Sequence, residues 1–330
     1  MLSVGDISYL MGRAHGIIGN VLTKSQLSLL LASSNLQELR AAFTQTMYDE
    51  VIKDLNLETQ MPEVARRFKN TFSNLLMLFY KQTSLSAKKK IGIFFERYNA
   101  ENLRYILHGK FVEMSHEEIT SRLIPVAGYS LDYYEKLLPL TIGEIIDKQR
   151  ETDLKNLLKD GYKEFESTGR FTPIESAIDQ YIYDTLTKLS KSYSTYVNMK
   201  NILALCRCIA LGIPAYRYIL PNKFIAKALS CNTVSEVLEK YNHGLYKTIF
   251  SPYIGKDDVP LHDLEFIVER YQLKEWKKIF RYGTTFEIDV IIAFFELKLA
   301  ETMDVIRIIV GINAGFSEKE IRESLLFYSL

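Results

Sequence analysis

Five histidines, at positions 15, 108, 116, 243 and 262, and three cysteines have the widest chemical repertoire in this 330-residue chain. His116-Glu117-Glu118-Ile119-Thr120 opens like a zinc-binding helix, but Thr120 stands where the second histidine ligand is needed. The segment reads instead as the first turn of a helix capped by Ser115. Cys206 and Cys208 are one residue apart, lack a second pair, and lie on an apolar helix, the setting of buried structural thiols. Neither Gly12 to Gly16 nor Gly255-Lys256 completes the G-x-x-x-x-G-K-[ST] loop that cradles phosphates. Asp257-Asp258 resembles half of the magnesium-binding aspartate motif of all-α prenyl-transferring enzymes, and Leu261 breaks the D-D-x-x-D spacing. No serine or cysteine nucleophile stands in a recognised setting. Lys88-Lys89-Lys90 reads as a solvated turn, with a lipid or phosphate patch as the alternative. The expectation is therefore no catalytic, cofactor or metal set.

Composition narrows the class further. At about 150 residues per domain the length predicts roughly two compact units with room for a large core. Hydrophobic residues make up 47% and charged residues 25%, a globular balance. Lys+Arg is 41 against 40 for Asp+Glu, so the basic excess of a phosphate-binding surface is missing and a nucleic-acid partner is disfavoured. Three cysteines do not make a secreted disulfide framework, and a reducing, cytoplasmic setting fits. The longest apolar runs, Leu75–Tyr80 and Val290–Phe295, fall far short of the roughly 20 residues of a spanning helix. Met1–Asp6 lacks the basic-then-apolar order of a signal peptide. Work at a membrane is expected to depend on recruitment by other proteins.

The elements read as helix from end to end. Proline is rare (8), and apolar residues recur at the helical period. Ile7, Leu10, Met11, Ala14, Ile18 and Val21 form one stripe. Ile174, Ala177, Ile178, Tyr181, Thr185 and Leu189 form another. The longest runs through Ile288, Ile291, Ile292, Phe295, Leu299, Met303, Ile306 and Val310. Each stripe must be buried against other helices, which predicts an all-α body. Helix starts are marked by capping boxes, in which a Ser or Thr and a Glu or Gln three residues on satisfy each other's backbone N–H. Candidate pairs are Thr23 with Gln26, Ser34 with Gln37, Ser115 with Glu118 and Thr141 with Glu144. Thr172 with Glu175, Thr233 with Glu236, and Ser317 with Glu320 follow. Breaks are expected near Pro125, Pro139, Pro214 with Pro221, and across Ser251–Pro260.

A repeat runs through the chain. A shift of 202 residues lays Asn102 on Asp304, Gly109 on Gly311, Ser115 on Ser317, Glu118 on Glu320 and Leu123 on Leu325, without a gap. This predicts a helix, a glycine-stopped turn and a capped second helix, with Gly109 and Gly311 in the left-handed conformation that ends a helix. A weaker middle copy begins at Asn201, 99 residues after Asn102 and 103 before Asp304, with Cys208 in the glycine position. A front echo, Leu36-x-x-Leu39 before Tyr48 and Val234-x-x-Val237 before Tyr246, has an offset of 198. The units are placed at 1–125, 126–221 and 222–330.

The chain also resembles a known family. Tyr9-x-x-x-Arg13, Leu22-Thr23, Leu36-x-x-Leu39 and Thr46-x-Tyr48 are similar to the opening of the C subunit of V/A-type rotary ATPases, equivalent to the d subunit of the eukaryotic V-ATPase. The likeness continues through Phe95-Glu96, Asn102-Leu103-Arg104, Gly109-Lys110 and Asn198-x-x-Asn201. It ends in Lys298-x-x-Glu301, Gly311 and Ile321-Arg322-Glu323-x-Leu325, so it covers most of the chain. Asp304, where the other copies carry asparagine, is a departure. The resemblance implies three similar helical subdomains with pseudo-threefold symmetry forming a funnel. It also implies a non-catalytic central-stalk role on the cytoplasmic side of the membrane. The partners would be the D and F subunits of the central axle on one side and the membrane rotor ring (c/K subunits) on the other. The protein would then link ATP turnover to H+ or Na+ transport. A helical-repeat adaptor outside the rotary ATPases, and an all-α enzyme with a diffuse site, are the alternatives.

Three equivalent helices are the natural walls of a central hole. The residues expected to meet partners are therefore Asn102, Arg104, Lys110, Asn201, Arg207, Asp304 and Arg307. The competing expectation is that Asn102, Asn201 and Asp304 satisfy backbone groups inside each unit.

Overall fold

The computed structural model describes residues 4–44, 46–53, 56, 61–213, 223–256, 258–283 and 288–330. These residues hold eighteen helices and no strand, apart from one bridge between Val126 and Tyr129. The all-α expectation is met.

Chain contacts divide the molecule into two compact units, Met1–Pro139 with Leu273–Leu330, and Leu140–Gln272. The first contains α1 (Val4–Gly19), α2 (Lys24–Leu31), α3 (Leu36–Phe43), α4 (Asp49–Ile52), α5 (Met61–Lys81), α6 (Leu85–Phe111), α7 (His116–Arg122) and α8 (Leu131–Glu135). The second contains α9 (Ile142–Asp147), α10 (Thr152–Thr168), α11 (Thr172–Leu189), α12 (Tyr193–Ala210), α13 (Lys223–Ala226), α14 (Val234–Lys240) and α15 (Gly244–Phe250). The boundary at residue 273 falls inside α16 (Leu261–Tyr282), and α17 (Ile288–Asn313) and α18 (Glu318–Ser324) complete the first unit.

The core of the first unit is built around α17. Its sequence shows one apolar stripe, but the structure covers nearly its whole circumference. Phe294 stacks on Phe79 and Phe295 on Phe94, with ring centroids 5.0 and 5.8 Å apart. Further along the helix, Val305, Ile308 and Ile309 pack with Leu39, Phe43 and Phe68 from α3 and α5. A helix enclosed on all sides must bury whatever polar groups it carries, and Glu296, Lys298, Glu301 and Asp304 are all buried. In the second unit α10 and α11 form a hairpin, and Ile174, Ala177, Ile178 and Tyr181 are buried along the predicted stripe. Gly161 permits this crossing. A Cβ there would stand 2.7 Å from the Pro173 carbonyl oxygen.

Four predicted capping boxes are present in full: Thr23–Gln26, Ser115–Glu118, Thr141–Glu144 and Ser317–Glu320. The others are corrected. Asn35, not Ser34, caps α3, and Glu38 reaches back to the Ser34 N–H. Thr233 caps α14, while the Glu236 carboxylate takes the Asn232 N–H one residue earlier. Asn35 and Thr233 coincide under the offset of 198, so the front echo extends to the way each helix is capped. Thr172 is itself the first helical residue, because Pro173 is tolerated in the first turn and leaves Phe171 as the cap. Pro214, Pro221 and Asp257 lie outside the described residues.

The glycine-stop expectation is also corrected. Gly109 and Gly311 lie within α6 and α17 and are not among the positive-φ residues. The left-handed residue comes four positions later, at Glu113 (φ 57°) and Gly315 (φ 75°). Met114 N–H donates to Gly109 O at 2.8 Å and Phe316 N–H to Gly311 O at 2.9 Å. Glu113 and Gly315 N–H donate to Lys110 and Ile312 O. These are the paired bonds of a Schellman closure. α12 ends the same way at Gly212 (φ 64°), with Ile213 N–H to Cys208 O at 2.9 Å and Gly212 N–H to Ile209 O at 3.1 Å. The three closures occur at the offsets of 99 and 103 residues read from the sequence. What Gly109 and Gly311 provide is room. A Cβ on Gly109 would lie 2.5 Å from Ile119 Cγ1, and one on Gly311 would lie 2.8 Å from Ile321 Cγ1.

Candidate functional site

Tyr48, Lys298 and Glu301, three of the residues that carry the resemblance, meet inside the first unit. Lys298 and Glu301 stand one helical turn apart on α17, so their side chains leave the same face. Tyr48 arrives from the turn before α4, and Tyr328 from the C-terminal segment. Lys298 Nζ donates to Glu301 Oε2 at 2.6 Å and to Tyr48 Oη at 2.7 Å. The Tyr48 hydroxyl donates to Glu301 Oε1, and Tyr328 Oη donates to the same oxygen at 2.7 Å. The ammonium also lies 5.0 Å from the Tyr48 ring centroid. Lys298 and Glu301 side chains are 3% and 0% exposed, so solvent screens the pair little.

Burial, with the Glu301 carboxylate beside them, raises both phenols well above the ordinary tyrosine range. They therefore act as neutral donors to Glu301. Nearer the start of α17, Glu296 accepts a hydrogen bond from Arg97 of α6. The arrangement balances its charges, Lys298 against Glu301 and Arg97 against Glu296. It ties the turn before α4, the C-terminal segment and α6 to α17. The spacing Lys298-x-x-Glu301 is legible in sequence. Its meeting with Tyr48 spans 253 residues, beyond the reach of any local pattern.

The sequence-derived candidates are placed differently. Asn102, Asn201 and Asp304 are 1%, 2% and 0% exposed. Asn102 holds the backbone of Ile124 from both sides, donating from Nδ2 to its carbonyl and accepting its N–H at Oδ1, each at 2.8 Å. Asp304 does the equivalent 202 residues on. Its carboxylate accepts the N–H groups of Leu326, Phe327 and Tyr328 at 3.0, 2.7 and 3.1 Å, and Arg307 Nη1 at 2.6 Å. Burial nevertheless raises the Asp304 carboxyl above the ordinary aspartate range. The backbone-satisfying reading therefore describes Asn102 and Asp304. Lys110 Nζ donates to Leu138 O at 2.6 Å, Arg104 lies 3.8 Å from Glu101, and half-exposed Arg207 donates from Nε to Glu265 at 2.9 Å. Each of these contacts lies within one unit.

His116 lines a 380 Å³ cavity in the first unit with Glu63, Arg66, Glu117 and Glu135. Arg66 Nε is 2.5 Å from Glu63 Oε2, so the cavity's cation is already paired. Among the described residues no group of histidine, cysteine and carboxylate side chains has the geometry to hold a metal ion. Burial pushes the Cys206 thiol up to about 12, away from the thiolate needed for nucleophilic chemistry. No helix among the described residues is long and apolar enough to cross a membrane.

Known proteins supply the remaining comparison. The chain is 20% identical to the C subunit of the A-type ATP synthase of Methanocaldococcus jannaschii, over 99% of this chain and 88% of that protein. It is 21% identical to the C subunit of the Methanosarcina mazei A-type ATP synthase, over 97% and 93%. The protein of the same name from Methanosphaera stadtmanae is 22% identical, over 97% and 87%. A family model described as ATP synthase (C/AC39) subunit matches residues 10–324. With residues 10–324 matched by that model, the chain belongs to the ATP synthase (C/AC39) subunit family.

Proposed function

We propose that this chain is the non-catalytic central-stalk subunit of a V/A-type ATPase or ATP synthase. It seats the axle formed by the D and F subunits on the membrane rotor ring of c/K subunits, at the cytoplasmic face. It thereby links ATP turnover to H+ or Na+ transport. The family match across residues 10–324 carries this reading. The interior supports it. A part that transmits torque must resist local opening, and here the central helix is enclosed by aromatic packing and tied to distant segments by Lys298, Glu301, Tyr48 and Tyr328.

Three equivalent helix closures, ending α6, α12 and α17, favour three related units at 1–125, 126–221 and 222–330 arranged as a funnel. Arg104, Lys110, Arg207 and Arg307, which keep exposed surface, are the candidates for meeting the axle or ring. Asn102, Asn201 and Asp304 would act indirectly by holding the helices that present them.

The test is assembly of the rotary complex with and without this chain. Without it, ATP hydrolysis by the catalytic head should persist while ATP-driven ion uptake into vesicles disappears. Ion pumping at the normal ratio by a complex lacking the chain would overturn the proposal.

A further inference from the structure

We propose that the corner between α5 and α6 binds the anionic headgroup surface of a lipid bilayer directly. Leu85 opens α6 with its side chain 77% exposed, and Ile93, two turns on, is 42% exposed. Lys88 and Lys89 lie one turn after Leu85 and fall on either side of it around the helix. Lys81 closes the last turn of α5, and Lys90 is exposed just beyond. From Lys81 to Phe95 the chain carries four lysines and no acidic residue. Among the described residues no carboxylate pairs with any of these lysines.

A fifth cation joins them from α1. Arg13 Nη1 donates to Gln82 Oε1 at 2.7 Å and to Tyr9 Oη at 3.2 Å, and Tyr9 is half exposed. Lys88 Nζ rests 5.6 Å from the Tyr80 ring centroid, which orients its stem over the corner. The surface therefore presents a projecting leucine, a half-exposed tyrosine and a fringe of cations without carboxylate partners.

The residue types select the occupant. Protein interfaces are depleted in lysine and rely on arginine and large aromatics in packed pockets. At this corner the cations are mostly lysine, and the apolar members Leu85 and Ile93 are exposed rather than packed in a pocket. Lysines around an inserting apolar side chain, with an aromatic at the polar boundary, suit a headgroup layer rich in phosphate. The net charge of +1 for the whole chain conceals this local excess. The inference goes beyond the coupling role, since it gives the chain its own grip on the membrane rather than recruitment by other proteins alone.

The test uses the full-length isolated chain and cosedimentation with vesicles, one set of phosphatidylcholine and one with phosphatidylglycerol added. Binding should require the anionic lipid and should vanish near 1 M salt, where the screening length falls to about 3 Å. At about fivefold per lysine, Lys88→Gln with Lys89→Gln should lower partitioning about 25-fold. Leu85→Asp should reduce binding in a way that lower salt does not restore. Lys278→Gln with Lys319→Gln, at exposed sites elsewhere, should change nothing, and circular dichroism melts should show every variant folded. Equal binding to neutral vesicles, or no effect of the Lys88 and Lys89 changes, would overturn the proposal. So would variants that keep lipid binding but lose a detergent-solubilised rotor ring, because the corner would then be a protein contact. No other protein is present on the vesicles, so a negative result leaves the coupling role standing.

Discussion

Replacing Gly109 with alanine sets two local effects of opposite sign against each other, and the outcome depends on Ile119. Inside α6, alanine should gain about 1 kcal/mol over glycine from backbone entropy and helix propensity. The new methyl would stand 2.5 Å from Ile119 Cγ1 and 2.8 Å from Cδ1, far inside van der Waals contact. Ile119 is 1% exposed, so it can yield only by displacing other core atoms. Overpacking of this kind costs about 1–3 kcal/mol. Gly109→Ala should therefore destabilise the chain by about 1 kcal/mol or somewhat more, after the gain from propensity is subtracted. In an Ile119→Ala background the obstructing atoms are gone, and the same substitution should stabilise by up to about 1 kcal/mol. The coupling energy of the cycle should then be about 2 kcal/mol. At Gly311 the distances are longer, 2.8 and 3.1 Å from Ile321, so the cost of Gly311→Ala should be smaller. Urea titrations of the four variants at each site measure this. Equal effects of Gly109→Ala in both backgrounds would refute the close-approach explanation of the repeated glycine.

Three further outcomes follow from named residues. Glu113 adopts the left-handed conformation that Gly212 and Gly315 adopt in the other closures, so Glu113→Gly should stabilise by about 0.5–1 kcal/mol and raise the melting temperature; a lowered melt would contradict the strain. Lys298→Met leaves the Glu301 carboxylate buried without its cation and should cost about 3–5 kcal/mol, whereas Lys298→Met with Glu301→Leu should cost clearly less than the two single changes combined, by denaturant midpoints; strict additivity would show that the pair is not coupled. The raised Asp304 carboxyl means that the folded state holds this proton more tightly than the unfolded chain. Its stabilising contribution is full below about pH 4 and declines as pH rises through the folded value. Asp304→Asn should remove that decline from the pH–stability profile, and an unchanged slope above pH 4 would count against it.

Much of the fold is legible because its signals are local. Capping boxes at Thr23, Ser115, Thr141 and Ser317 need only four consecutive residues, and all four form. Where a competitor stands one residue away, the pattern misleads: Asn35 displaces Ser34, and Pro173 draws Thr172 into the first turn of α11. The 202-residue repeat is visible because equivalent turns require equivalent residues. The reason for its glycine is not, since close approach to Ile119 is a property of two helices and leaves no mark beyond the glycine itself. α17 hides its surroundings for a similar reason. A stripe in the sequence shows which face must be buried, but the full enclosure of Lys298 and Glu301 follows from partners such as Tyr48, supplied from far along the chain. Symmetry selects the candidates Asn102, Asn201 and Asp304, and at Asn102 and Asp304 it identifies side chains that hold the repeat together.

The exchange of asparagine for aspartate between copies shows how one structural position takes on a different load. Asn102 has both a donor and an acceptor, so it can grip the N–H and carbonyl of Ile124, and an uncharged amide is enough to anchor one stretch of backbone. Asp304 anchors the C-terminal segment, where Leu326, Phe327 and Tyr328 present three N–H groups in succession. An ionised carboxylate can accept all three and still receive Arg307, which an amide with a single acceptor oxygen cannot do without leaving donors buried. The charge carries a desolvation cost, seen in the raised carboxyl. The return is that Tyr328 is held where its hydroxyl completes the acceptor shell of Glu301. Asp304→Asn should therefore reach the Lys298–Glu301 network through the C-terminal segment. Hydrogen exchange should show faster opening at the N–H groups of Leu326 to Tyr328, with the Ile124 N–H unaffected. If those three amides keep their protection, backbone packing alone holds the segment and the carboxylate's role is confined to Arg307.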